Sequence, residues 1–239
     1  RYIRRQRQMC IRDSLKERAF TKPVFIRVND AMEAIGREDI DAISPYQDQI
    51  EAIILPKTQS FDFLATLAPM IDFSNKLVPL IETPRAIDTV TQIAAFKDVV
   101  GLFFGAADSS ASLGCKLAWE PLLYARQKVV LAAAMYNLFT IDAPFFYIDD
   151  KEGLKNEAEA VKNLGFTGKA AIHPDQIDFI NESFAPTSEE IAEGKKVLEE
   201  YQKSGGGAVK IDGQMVDEPI AEAMRLKISL GEEESENKD

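Results

Sequence analysis

Two carboxylates sit just past the ends of short apolar runs in this chain: Glu82 closes Leu77-Val-Pro-Leu-Ile-Glu82, and Asp108 follows Val99-Val-Gly-Leu-Phe-Phe-Gly-Ala-Ala107. Both runs are rich in branched and aromatic residues and too continuous for a half-exposed strand, so they read as strands buried on both faces, as in a parallel sheet or barrel. The carboxyl ends of such strands are where these folds keep their chemistry. Two hard oxygen ligands from neighbouring strand ends, with no Cys or His close in sequence, suit Mg²⁺ better than Zn²⁺, because Mg²⁺ takes one or two carboxylates and keeps positions for water and substrate. The same residues have a structural reading, as acidic groups that cap the following helices and answer their dipoles. Spacing alone leaves both readings open.

The elements that must position these carboxylates alternate along the chain. Expected strands are Val24 to Val28, Ala52 to Leu55, Leu77 to Ile81, Val99 to Phe104, Phe145 to Ile148 and Ala170 to Ile172. Helical stretches are expected between them, at about residues 36–43, 60–71, 85–96, 117–137 and 152–164. Pro84 suits a first helical turn, where its missing N–H costs nothing, and Pro174 opens another helix after His173. Gly165 is a C-terminal stop after Val161-Lys-Asn-Leu164. Strands in strict alternation with helices indicate a parallel sheet. An open doubly wound sheet is the alternative, although its Gly-x-Gly-x-x-Gly fingerprint is absent.

After residue 186 the pattern changes. Thr187-Ser-Glu-Glu190 is a capping box that opens a helix to about Lys203, and Ser204-Gly-Gly-Gly207 is a flexible joint. Ala208 to Ile211 and Gln214 to Val216 read as a hairpin, followed by a helix from Pro219 to about Leu230 and a disordered acidic tail, 231–239. A hairpin and helix beyond a glycine joint suggest a lid; a simple C-terminal cap is the plainer reading.

Composition restricts the functional class. With 239 residues and 46% hydrophobic content the chain can bury a large core, and its net charge of −11 argues against nucleic acid as a partner. No apolar stretch is long enough to span a membrane and no secretory signal is visible, so a soluble cytoplasmic protein is expected. Cys10 and Cys115 have no framework spacing, and the single histidine, His173, excludes a multi-histidine metal site. The opening residues 1–14 carry five Arg against one Asp and show no helical face. They read as a translated adaptor or cloning scar, with a genuine basic arm as the alternative. The chain then runs into Leu15-Lys-Glu-Arg-Ala19, which looks like the end of a helix, so elements upstream are expected to be missing.

The motifs Val24-Phe-Ile-Arg-Val-Asn29, Ile53-Ile-Leu-Pro-Lys57, Leu80-Ile-Glu-Thr-Pro84, Phe104-Gly-Ala-Ala-Asp108, Gly165-Phe-Thr-Gly-Lys-Ala-Ala-Ile-His-Pro174 and Gly213-Gln-Met-Val-Asp-Glu-Pro219 occur in this order. In that order they resemble the CoA-ester lyases of the HpcH/HpaI aldolase superfamily: the citrate lyase β-subunit-like, malyl-CoA and citramalyl-CoA lyase proteins. The resemblance covers about residues 15–230. It implies an α/β fold, a TIM (β/α)₈ barrel lacking its first two strands over residues 15–186, with a C-terminal helical and hairpin lid over 187–230.

It also implies roles. Glu82 and Asp108 match the family's Mg²⁺ ligands, with Mn²⁺ as a possible substitute. Arg27 matches the arginine of the third barrel strand, a permanent cation whose fork can hold developing oxyanion charge; a strand-end ion pair is its structural alternative. Asp217 matches the acid or base that the lid contributes to a neighbouring subunit, or else caps the helix that follows it. Lys57, after a strand and before a helix, could meet a CoA phosphate or balance the carboxylates. His173 reads as bonded to nearby backbone, and Trp119, Phe139 and Phe145-Phe-Tyr147 as core. The implied protein is a homo-oligomer, a trimer or hexamer, acting on a malyl-CoA-like or citramalyl-CoA-like thioester. A malyl-CoA thioesterase and a citrate lyase-type subunit active only within a complex are the alternatives.

Overall fold

The computed structural model of the protein describes residues 13–16, 20–71, 73, 76–205, 207–211 and 213–236. Residues 1–12 of the opening segment, Gly206 of the glycine joint, Asp212 of the hairpin turn and 237–239 of the tail lie outside the described residues. The chain divides into two compact units, Arg1–Pro174 and Asp175–Asp239.

In the first unit the strands are β1 (Phe25–Arg27), β2 (Ala52–Leu55), β3 (Leu77–Ile81), β4 (Gly101–Phe104), β5 (Phe139–Asp142) and β6 (Gly168–Lys169). They pair in chain order, each neighbour parallel, with Ile53 opposite Leu77 and Leu102 opposite Thr140. A doubly wound sheet reverses its strand order at a switch point. Among these strands the order never reverses, which is the winding of a (β/α) barrel. The intervening helices are α1 (Ala34–Ile43), α2 (Phe61–Leu67), α3 (Pro84–Asp88), α4 (Val90–Ala94), α5 (Ala106–Leu113), α6 (Trp119–Met135) and α7 (Lys151–Leu164).

The sheet is curled. The rings of Phe25 on β1 and Phe139 on β5 meet edge to face, 5.7 Å between centroids. Strands four places apart in a flat sheet would lie about 19 Å apart. These rings pack with Ala52, Ile54, Val78, Leu80 and Phe103 on the concave face. Side chains alternate faces along a strand, so Ile53, Leu55, Leu77 and Ile81 point the other way, where they are almost fully buried. Burial of each such side chain contributes about 1.5–3 kcal/mol.

Ser60, Thr83 and Asp150 accept main-chain N–H bonds at the starts of α2, α3 and α7, and Gly165 ends α7 in the left-handed region at φ 107°. The second unit holds α8 (Ile177–Phe184), α9 (Ser188–Lys203), the antiparallel pair β7 (Val209–Ile211) and β8 (Gln214–Val216), and α10 (Glu218–Glu236). Its core gathers Val197, Tyr201, Ile211, Val216 and Ala221. The capping box of Thr187 and Glu190 is formed.

Several expectations are corrected. The fifth strand is Phe139–Asp142, not Phe145 to Ile148. Thr140 and Asp142 break the apolar run, and their burial depends on partners far away in sequence. Phe145 is buried, whereas Phe146 and Tyr147 are 39% and 64% exposed, outside the core expected for them. Strand β6 ends at Lys169, before the expected Ala170. The 85–96 helix breaks at Thr89, whose hydroxyl donates to Arg85 O and Gln59 O. Helix α10 continues through residues 231–236, which were expected in the tail. Extending a helix already nucleated costs little, and Glu is a good helix former.

Candidate active site

Arg27 is the last residue of β1, Lys57 lies two residues past β2, Glu82 is the first residue after β3, and Asp108 lies in the first turn of α5, just past β4. All four therefore stand at the carboxyl ends of consecutive strands. Strand alternation puts Glu82 in register with Val78 and Leu80, and Arg27 with Phe25, on the concave face.

Glu82 is only 5% exposed. The Lys57 main-chain N–H donates to its Oε1 at 2.7 Å. Lys57 does this from φ +55°, and next to it buried Thr58 donates its hydroxyl to Leu55 O at 3.0 Å. On the other side lies Gly105, where a Cβ would come within 2.6 Å of Glu82 Cβ and 3.1 Å of Oε2. Thr83, not Glu82, caps α3, accepting from the Ala86 N–H at 3.1 Å. Asp108 does occupy a first helical turn, where its charge suits the dipole.

Burial pushes the Glu82 carboxyl above its ordinary pKa; the Lys57 N–H works against this, Asp108 adds to it by charge and by a side-chain hydrogen bond, and Arg27 pulls it down. Arg27, Glu82 and Asp108 thus share one electrostatic neighbourhood, with the Lys57 main chain beside them. Two carboxyl groups within hydrogen-bonding reach cannot both be ionised cheaply unless a proton or a cation lies with them. A hard divalent ion meets that need, and a pair of carboxylates is the donor set Mg²⁺ uses when water and substrate complete its shell. Among the described residues no group of three or more His, Cys, Asp or Glu is gathered.

Asp217 belongs to the second unit. It is half-buried between β8 and α10, and its carbonyl accepts from the Ala221 N–H at 2.9 Å, as an N-cap residue's does. Its neighbour Glu218 accepts from Arg225 Nη1 at 2.7 Å and hydrogen-bonds with Tyr201 of α9. His173 is half-buried and has a partner.

Sequence reasoning missed a charged cluster at the ends of β5 and β6. Arg126 of α6 donates Nε to Asp142 Oδ1 at 2.8 Å, and Lys169 Nζ lies 2.7 Å from both Asp142 Oδ2 and Glu157 Oε1. The Arg126 guanidinium lies over the rings of Phe104 and Trp119, 5.2 and 4.8 Å from their centroids. Arg126 and Asp142 stand 16 residues apart, and Asp142 and Lys169 stand 27 apart. The available signal was a lone acid and a lone base, each ending a short run.

The family model described as HpcH/HpaI aldolase/citrate lyase matches residues 5–174, starting within the opening segment. The mitochondrial citramalyl-CoA lyase of Homo sapiens is 30% identical over 230 residues, covering 86% of this chain and 67% of that protein. The citrate lyase subunit beta of Haemophilus influenzae is 30% identical over 217 residues, covering 84% of this chain and 74% of that one. Among solved structures, CitE from Mycobacterium tuberculosis in complex with magnesium, acetoacetate and coenzyme A superposes with a TM-score of 0.80 at 28% identity, covering 94% of this chain and 83% of that one.

Proposed function

Because the chain belongs to the HpcH/HpaI aldolase/citrate lyase family, we propose that it is a Mg²⁺-dependent carbon–carbon lyase that cleaves a malyl-CoA or citramalyl-CoA type of 3-hydroxyacyl-CoA into acetyl-CoA and a 2-oxo acid. The observation that carries this reading is the placement of Glu82 and Asp108 just past the ends of adjacent strands, where the charge of Asp108 helps raise the Glu82 pKa. Similarity to a citramalyl-CoA lyase and to a structure holding magnesium and coenzyme A supports it.

In this reaction the substrate hydroxyl loses its proton, the bond between the α and β carbons breaks, and its electron pair passes to the thioester as an enolate. A proton on the α carbon then gives acetyl-CoA. Glu82 and Asp108 would hold Mg²⁺, which would supply Lewis acidity toward the substrate's hydroxyl and carboxylate oxygens. Arg27, which ends β1 on the concave face, holds the thioester oxygen as its charge grows; loss of one such donor typically costs about 3 kcal/mol of transition-state stabilisation. The Lys57 side chain, exposed at the rim, reaches a CoA phosphate. Asp217 handles the α-carbon proton at the site of a neighbouring subunit in a homo-oligomer. The six strands would form part of an eight-stranded barrel, which two further strands between β6 and β1 would close.

The test is product analysis. With malyl-CoA or citramalyl-CoA and Mg²⁺, the lyase reading expects acetyl-CoA with glyoxylate or pyruvate. Malate with free CoA would indicate a thioesterase instead. The similarity to citrate lyase subunit beta favours a second reading, a subunit active only within a complex; it expects no turnover of either ester by the isolated protein.

A further inference from the structure

The Glu82 side chain meets main chain on two sides. On one side the Lys57 N–H donates to Oε1 at 2.7 Å. Lys57 makes this bond at φ +55°, a region that L residues with long side chains seldom occupy. Thr58, fully buried and tied to Leu55 O, holds the adjoining residue in place. On the other side is Gly105, itself anchored by its N–H to Ile81 O at 2.9 Å. Gly105 has φ −104° and ψ 88°, which any residue can adopt, so its backbone does not require glycine. Space does: a Cβ there would stand 2.6 Å from the Glu82 Cβ, which belongs to a buried side chain and cannot swing away as a flexible tip could.

We infer that Lys57, through its main-chain N–H, and Gly105, through its lack of a side chain, are positioning residues that hold the Glu82 carboxylate in the single orientation needed for cation binding. The inference rests on the reading of Glu82 and Asp108 as Mg²⁺ ligands. It assigns separate tasks to the two parts of Lys57, since the amide aims the ligand while the ammonium is free to serve the substrate. Groups that orient a metal ligand from behind typically change metal affinity about 10- to 100-fold when removed.

The experiment measures cation binding without turnover. Mg²⁺ affinity is read by calorimetry and Mn²⁺ occupancy by electron paramagnetic resonance, on the full chain and on Lys57→Met, Lys57→Gly, Lys57→Pro and Gly105→Ala, with circular dichroism and thermal melts as controls for folding. Lys57→Met and Lys57→Gly keep the N–H and should bind within about threefold of the parent. Lys57→Pro has no N–H and locks φ near −65°, and Gly105→Ala displaces Glu82; both should lose about 10- to 100-fold. Should Lys57→Pro fail to fold, Gly105→Ala and the contrast with Lys57→Met still decide. Gly105→Ala binding like the parent, or Lys57→Met losing as much as Gly105→Ala, overturns the positioning role while leaving the metal site standing. A parent chain that binds neither cation overturns the metal reading and this inference with it.

Discussion

Lys169 Nζ lies 2.7 Å from Asp142 Oδ2 with both side chains fully buried, and Arg126 takes the other oxygen of the same carboxylate. Removing one partner leaves the rest charged and uncompensated in a low-dielectric setting. Lys169→Met should therefore lower the unfolding free energy by about 3–5 kcal/mol, measured by urea denaturation. A loss below about 1 kcal/mol would show that the cluster relaxes or hydrates, as exposed ion pairs do.

Glu82→Gln and Asp108→Asn should each remove Mg²⁺-dependent turnover and leave the fold intact. Both residues stand past strand ends, and Asp108 is exposed. Initial rates across a Mg²⁺ titration, with circular dichroism alongside, check this. Near-normal activity with an unchanged Mg²⁺ dependence in either variant rules that residue out as a ligand.

The raised Glu82 pKa predicts the sign of a pH effect in the metal-free protein. Between its ordinary value of 4.5 and its folded value, Glu82 holds more proton folded than unfolded. Stability from this group is thus present below pH 4.5 and is lost as pH rises through the folded value. Glu82→Gln removes that dependence, so metal-free Glu82→Gln should melt higher than the parent at pH 7, and the gap should close as pH falls. Saturating Mg²⁺ should reverse the order, because only the parent gains from binding. Thermal melts at several pH values read both effects.

If Asp217 serves a neighbouring subunit, Asp217→Asn and Glu82→Gln proteins should each be inactive alone yet complement one another when co-expressed. Random mixing in equal amounts leaves both residues wild type at about a quarter of the shared sites. Mixed oligomers that demonstrably form without any return of activity would place Asp217 in its own chain's chemistry, or in none.

Much of the first unit was legible because its first four strands announced themselves locally. Ala52 to Leu55 and Leu77 to Ile81 are observed residue for residue, since runs buried on both faces carry no competing pattern. The Thr187 box and the Gly165 stop are equally local. Strand β5 was not legible, since Thr140 and Asp142 interrupt its apolar pattern and Asp142 is made tolerable only by Arg126 and Lys169. The candidate site divides the same way: Arg27, Lys57, Glu82 and Asp108 were named from motifs, but Gly105 was not, because a close approach across strands leaves no trace in sequence spacing.

The Phe25–Phe139 contact also distinguishes the two ends of the concave face. Each ring comes from the first residue of its strand, so the pair packs across the concave face at the end opposite Glu82 and Asp108. In the proposed lyase the substrate then approaches the carboxylates from the other end, where the strands give way to loops.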